Sequence, residues 1–281
     1  MRVTVQCSPD ADDLFMMRAL LDGLIDTGRY VFEIDTSPTD ALNRIASGES
    51  PPEVCAISAA YYPQIADLYQ LLPHGGSMGE GYGPVVIASS PLSVDDLKGA
   101  RVAIPGLTTT AWMTLRMIVP GIEPVVTPIV PYARIFEALR TGEVDAGLVI
   151  HEGRLTYEDE GFIKVVDIGE WWSVQTQGLP LPLGANAIRR DLGPDVIAEI
   201  SALLRAAIAH GLAHREEAIR WLLARGGALR TPERVSRYLD MYANERTLDY
   251  GPDGRRAMAV FFQRACDRGI LTSLPRLDYA P

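Results

Sequence analysis

Two α/β units followed by an almost wholly helical final third are the architecture the sequence predicts, and three observations predict it. Short β-branched runs alternate with helical-period segments from the first residues onward. The alternation breaks at a glycine-rich stretch, 74–83, and restarts after it. From residue 194 no strand-like run separates the amphipathic segments. Composition agrees, since 281 residues exceed one ordinary domain. A hydrophobic share of 47% with 22% charged residues supplies enough apolar mass for packed cores and excludes disorder.

Taken in order, 3–7 reads as a strand, and 13–24 carries Leu14, Phe15, Met17, Leu20, Leu21 and Leu24 at helical spacing. Strand 30–35, helix 39–46 and strand 54–58 follow, and 59–72 reads as a helix with Pro63 near its start, where a missing N–H is tolerated. The sheet is expected to be mostly parallel, with helical crossovers. Past the break, strands 85–88, 102–104, 125–129, 147–150 and 163–166 are interleaved with helices 112–119 and 132–140. Helices at 196–212, 216–223, 232–242 and 254–268 close the chain. Without repeats, charge blocks or low-complexity linkers, the lobes are expected to be joined by ordered crossings at 84–89 and 181–189.

With 26 Lys+Arg against 36 Asp+Glu, the net charge of -10 lacks the basic footprint that holds nucleic acid or an anionic membrane. Residues 1–7 read as a strand rather than a signal-peptide core, and the apolar stretches fall short of the roughly 20 residues that span a bilayer. The expectation is a cytoplasmic protein acting on a small molecule, with no nucleic-acid or membrane partner. Cys7, Cys55 and Cys266 are isolated, odd in number and without metal-ligand spacing, which fits reduced, partly buried thiols. No phosphate-binding loop, dinucleotide fingerprint or metal motif is present, so no cofactor or metal is expected.

Ligands of open α/β sheets bind at the carboxyl ends of strands, where helix N-termini present unpaired N–H groups. After the first strand, Asp10, Asp12 and Asp13 are more carboxylates than one helix cap requires, and Asp10 and Asp12 are candidate ligand contacts. At the end of the third strand stand Ala56, Ile57 and Ser58, the serine being either a cap or a ligand hydroxyl. Thr109 and Thr110 open a helix after 102–104, forming a small anion pocket if one threonine caps and the other binds. His151 ends the buried run 147–150, a place suited to a general acid or base working near neutral pH. Gly75-Gly76-Ser77-Met78-Gly79 matches a nucleophile elbow but lacks the strand before and helix after it, and reads as a flexible loop with Gly75 and Gly76 near a ligand.

Taken together, several of these blocks resemble the 1,4-dihydroxy-6-naphthoate synthases of the futalosine route to menaquinone. The resemblance covers nearly the whole chain. It is carried by Ser8-Pro9 with Asp13 and Phe15, His74-Gly75-Gly76 through Gly83-Pro84, and Arg101-Val102-Ala103-Ile104-Pro105-Gly106 with Thr109-Thr110-Ala111. Gly142-Glu143-Val144-Asp145-Ala146-Gly147 through His151-Glu152 with Thr156-Tyr157, and Trp171-Trp172 with Gly178-Leu179-Pro180-Leu181-Pro182-Leu183-Gly184, complete it. Chorismate dehydratase shares the fold but is less similar in the Thr-Thr-Ala and Ile-His-Glu loops. The resemblance implies a periplasmic-binding-protein type II-like fold, with a large lobe of 1–87 and 186–281, a small lobe of 88–185, a cleft between them and two crossings. It further implies a carbon–carbon lyase that needs no redox cofactor and turns cyclic dehypoxanthine futalosine into 1,4-dihydroxy-6-naphthoate. His151 matches the family's proton acceptor, and 56–58 with Thr109 and Thr110 match its substrate-contact segments.

Two departures alter charge. Where the family commonly has Cys-Pro-Asn-Asp-Thr after Ser-Pro, this chain has Asp10-Ala11-Asp12-Asp13-Leu14, and Ala56 stands where a lysine is common. A more acidic site disfavours a carboxylate ligand unless helix N-termini or an arginine compensate. The second reading is accordingly a cytoplasmic solute-type binding protein of the same fold without catalysis.

Overall fold

The computed structural model describes residues 1–129, 133–226 and 229–281. Contacts divide the chain into a first unit of Met1–Met78, Gly184–Arg255 and Pro275–Pro281, and a second of Gly79–Leu183 and Arg256–Leu274. The second unit thus takes in 256–274, which the sequence placed with the large lobe of 1–87 and 186–281.

The chain opens with β1 (Arg2–Cys7), α1 (Ala11–Leu21), β2 (Val31–Thr36), α2 (Thr39–Ala46), β3 (Val54–Ser58), α3 (Tyr62–Ile65), β4 (Tyr69–Leu71) and the two-residue β5 (Met78–Gly79). Next come β6 (Val85–Ala88), β7 (Arg101–Ile104), α4 (Thr110–Ile118), β8 (Glu123–Val126), α5 (Ala133–Arg140), β9 (Ala146–Val149) and α6 (Gly153–Thr156). After them stand β10 (Ile163–Asp167), α7 (Ile168–Thr176), β11 (Leu181–Pro182) and β12 (Gly184–Arg189). Among the described residues five helices follow: α8 (Pro194–Ala213), α9 (Arg215–Arg225), α10 (Pro232–Tyr242), α11 (Glu245–Leu248) and α12 (Gly251–Asp267). The expected start of the helix at Tyr132 lies outside the described residues.

The first sheet has the order β2-β1-β3-β12-β4 and the second β10-β6-β9-β7-β8. The expectation of a mostly parallel sheet is corrected here. β1 runs parallel to β2 and β3, and β7 to β8 and β9, but β12 opposes β3 and β4, and β6 opposes β9 and β10. The opposing strands are the ones that enter or re-enter a unit, where no helical crossover sets the direction. The helix expected over 59–72 is also corrected. A 3-10 turn, Ala59–Tyr61, leads into the one-turn α3 with Pro63 in its first turn, after which 69–71 pairs with β12. That distant pairing outweighs the local helical pattern.

In the first unit Phe15, Met16 and Met17 of α1 are buried, and Gly211 lets α8 approach the Phe15 ring. At 20 residues α8 is long and apolar enough to cross a membrane, contrary to the expectation that no stretch reaches that length. It buries one face, with Ile197, Ile200, Leu204, Ala207 and Ile208, against the first unit, where it packs on α1. In the second unit β6 and β9 are buried throughout, and Gly147 leaves room for Ile135 and Leu139 of α5. Trp172 is fully buried, donates its indole N–H to Pro180 O at 3.0 Å and lies 5.7 Å from the Phe261 ring.

Candidate functional site

In the first sheet β1, β3 and β4 share one direction, so the loops after them and the start of β12 meet at one edge. The loop after β1 folds back on itself. Asp10 N–H donates to Ser8 Oγ at 3.2 Å, and Asp13 Oδ2 accepts the Ser8 N–H at 2.6 Å. Burial and the neighbouring charge of Asp12 push the Asp13 carboxyl up to about 7, against the bonds from Ser8 that lower it. Asp12 is buried too, and its Oδ1 accepts the Tyr238 hydroxyl of α10 at 3.1 Å. Asp12 and Asp13 are therefore both bonded within the protein. Burial raises the Cys7 and Cys55 thiols, with Asp13 adding to both, which keeps them protonated and unreactive.

Ser58 ends β3, where its N–H donates to Asn43 Oδ1 at 2.9 Å and its Oγ accepts from Asn43 Nδ2 at 3.2 Å. Sequence reasoning missed this clamp. Its trace was a polar residue beside Leu42 on the buried side of α2. Ile57 is buried, whereas Ala56 is half-buried and faces Asn186 of β12 across the pairing.

Gly75 adopts φ +78 and donates its N–H to Thr247 O at 2.7 Å. At Gly76 a Cβ would overlap Tyr250 Oη and Gly184 O, so packing demands glycine there. Ser77 exchanges backbone hydrogen bonds with Gly184 and is followed by β5 rather than a helix, which removes the nucleophile elbow. Beside this loop His74 is buried, its Nε2 3.1 Å from Ser201 Oγ, and desolvation pushes the imidazole down to about 4.

In the second sheet β7 and β9 are parallel neighbours, which puts the loops carrying Thr109, Thr110 and His151 at one edge. Thr109 caps α4. It accepts the Trp112 N–H at 3.3 Å and donates to Gly106 O at 2.9 Å. Thr110 Oγ1 donates to Leu183 O at 2.7 Å. Of the pair, Thr109 is thus the cap.

His151 is half-buried in the turn from β9 to α6, with φ +49. Among the described residues the only other non-glycine with positive φ is Gln177, whose left-handed backbone closes the C-terminus of α7 in the ordinary way. No helix end accounts for His151. Its carbonyl accepts the Arg154 N–H at 3.2 Å, and the backbone costs about 1–3 kcal/mol that the surrounding turn must hold in place.

Arg154 was not legible as a site residue. Its guanidinium pairs with Asp167 Oδ2, its Nε donates to Gly83 O at 2.6 Å, and it lies 5.7 Å from the Tyr82 ring centroid. Asp167 is buried and caps α7 by accepting from Gly169 N–H at 2.8 Å and Glu170 N–H at 3.2 Å. Burial raises the Asp167 carboxyl despite the arginine and the amides that lower it. Among the described residues no group of three or more His, Cys, Asp or Glu is placed to hold a metal.

Two α/β units with mixed open sheets, each gathering its polar loops at one edge, make a periplasmic-binding-protein-like fold. The chain resembles the alkanesulfonate-binding protein SsuA from Xanthomonas axonopodis pv. citri, solved bound to MOPS, with TM-score 0.68 and 16% identity over 98% of this chain and 94% of that one. It is more similar to protein AF1704 from Archaeoglobus fulgidus, with TM-score 0.88 and 40% identity over 96% and 98% of the two chains. The family described as Menaquinone biosynthesis matches residues 3–267. A Thermus thermophilus protein named 1,4-dihydroxy-6-naphtoate synthase is 40% identical over 96% of each chain. A Streptomyces coelicolor protein of the same name is 34% identical over 95% of this chain and 94% of that one. The chain belongs to this menaquinone-biosynthesis family and is a lyase-class enzyme.

Proposed function

We propose that the chain converts cyclic dehypoxanthine futalosine into 1,4-dihydroxy-6-naphthoate, with His151 as the base. Ring opening followed by aromatisation requires removal of protons next to a carbonyl, and imidazole does this near neutral pH. The observation that carries the base assignment is the left-handed backbone of His151, which no capping role explains. Strain of that kind persists where the surroundings aim a side chain. The names of the Thermus and Streptomyces relatives support the product. The acidic balance supports a small-molecule substrate, with no nucleic-acid or membrane partner.

Incubating the purified protein with the cyclic intermediate and detecting the naphthoate by mass tests the reaction. His151→Ala is expected to stay folded and to lose roughly 10²–10⁴-fold in turnover. Full turnover by that variant overturns the base assignment. Tight binding of the intermediate without any product, in the unaltered protein, replaces the lyase reading with the solute-binding one.

A further inference from the structure

Asn186 is 2% exposed, and its Nδ2 is buried without a hydrogen-bond partner. Buried amide donors are paired in the large majority of proteins, since an unmade bond forfeits hydration without return. The place of this one is informative. In β12 Asn186 stands opposite Ala56, and Gly184 opposite Ser58. Directly opposed residues of an antiparallel pair share a face, as do residues two apart along a strand, so these four lie on one face of the sheet.

β3 is the central strand of five, where side chains are normally covered on both faces. Within it Ala56 alone is not buried. The sheet is therefore open at a methyl group with the unpaired amide beside it. Gly75 preserves this arrangement, since a Cβ there would overlap Asn186 Nδ2. A half-turn about χ2 exchanges the NH2 and the carbonyl of an amide without changing its shape, so which end faces a ligand is set by the bond on offer.

We propose that Asn186 is a specificity-determining residue whose amide donates a hydrogen bond to the carboxylate of the naphthoate-type ligand, seated over Ala56. This rests on the reaction proposed above, whose product is an aryl carboxylate. A carboxylate only accepts hydrogen bonds, so it matches an NH2 group that has none to make within the protein.

The test is calorimetric titration of the full chain with 1,4-dihydroxy-6-naphthoate and with naphthalene-1,4-diol, which lacks the carboxylate. The unaltered protein is expected to prefer the carboxylate. Asn186→Leu, of the same shape without the donor, is expected to bind the naphthoate about tenfold more weakly while its affinity for the diol stays within about twofold. Asn186→Asp places a charge against the carboxylate and is expected to lose more. An unchanged ratio of the two affinities in the leucine variant overturns the assignment while leaving the reaction standing, because a packing role would shift both ligands together. Should the leucine variant fail to fold, Asn186→Ser is read by the same ratio. If the unaltered protein binds neither compound and yields no product from the cyclic intermediate, the reaction itself falls, and this assignment with it.

Discussion

Replacing His151 by glycine separates its backbone from its imidazole. Glycine occupies φ near +49 without penalty, so His151→Gly is expected to melt no lower than the unaltered protein, with a gain of up to about 1 kcal/mol, while turnover is lost. A variant that melts well below the parent would show that the imidazole holds the turn together. Asp13 and His74 make a second residue-scale case, because they titrate in opposite senses over one pH range. The raised Asp13 contributes stability that is present below about pH 4 and is lost as pH rises through about 7. The depressed His74 contributes stability that is present above about pH 6.5 and is lost as pH falls through about 4. Each slope is on the order of 1.4 kcal/mol per pH unit. Denaturant melts from pH 4 to 7 are therefore expected to tilt upward with pH, relative to the parent, for Asp13→Asn and downward for His74→Gln. Parallel curves for all three would remove both assignments. The aspartates also show what a sequence can reveal at this scale. The surplus of carboxylates over capping needs was visible, but the Tyr238 partner of Asp12 comes from a helix more than two hundred residues away.

Elements were legible wherever local pattern decides them and illegible wherever a distant strand does. β1, α2, β3 and α10 fall where alternation and caps put them, and Thr109 caps α4 as its position before a helix suggested. β4 was hidden because Tyr69-Gln70-Leu71 extends a helical-looking run and becomes a strand by pairing with β12. The Arg154 and Asp167 pair escaped for a similar reason, since its members belong to different elements and only folding buries them. That pair yields a prediction for the region it joins. Arg154→Met leaves Asp167 buried without its cation, at a cost on the order of 3–5 kcal/mol near neutral pH. The loss is expected to shrink on acidification, because a raised carboxyl favours the folded state when protonated. Adding Asp167→Asn, which can still accept the α7 amides, is expected to restore much of the stability. Equal losses in the single and double variants at pH 7 would show that the pair contributes by shape alone.

For the whole molecule, the two α/β units were legible from the interruption at 74–83, but the assignment of 256–274 was not, since amphipathic helices look alike whichever core they join. The second unit depends on that segment. Phe261 packs on Trp172, Arg264 donates to Gln175 O at 2.5 Å, and Arg268 donates to Met117 O at 3.1 Å. A fragment of 79–183 alone is expected to show no cooperative thermal transition by circular dichroism, and a sharp one would contradict this dependence.

The first sheet carries a consequence for synthesis. β4 is paired on one side by β12, and on the other Leu71 bonds to the backbone of Asp278 and Ala280. A growing polypeptide therefore presents β4 with both sides bare while the entire second α/β pattern is translated, and one side stays bare until 278–280 leave the ribosome. An unpaired strand edge is a template for association with other chains. Nascent forms of this protein are accordingly the ones that need chaperone protection, and any form lacking 278–280 exposes the same edge of β4 again.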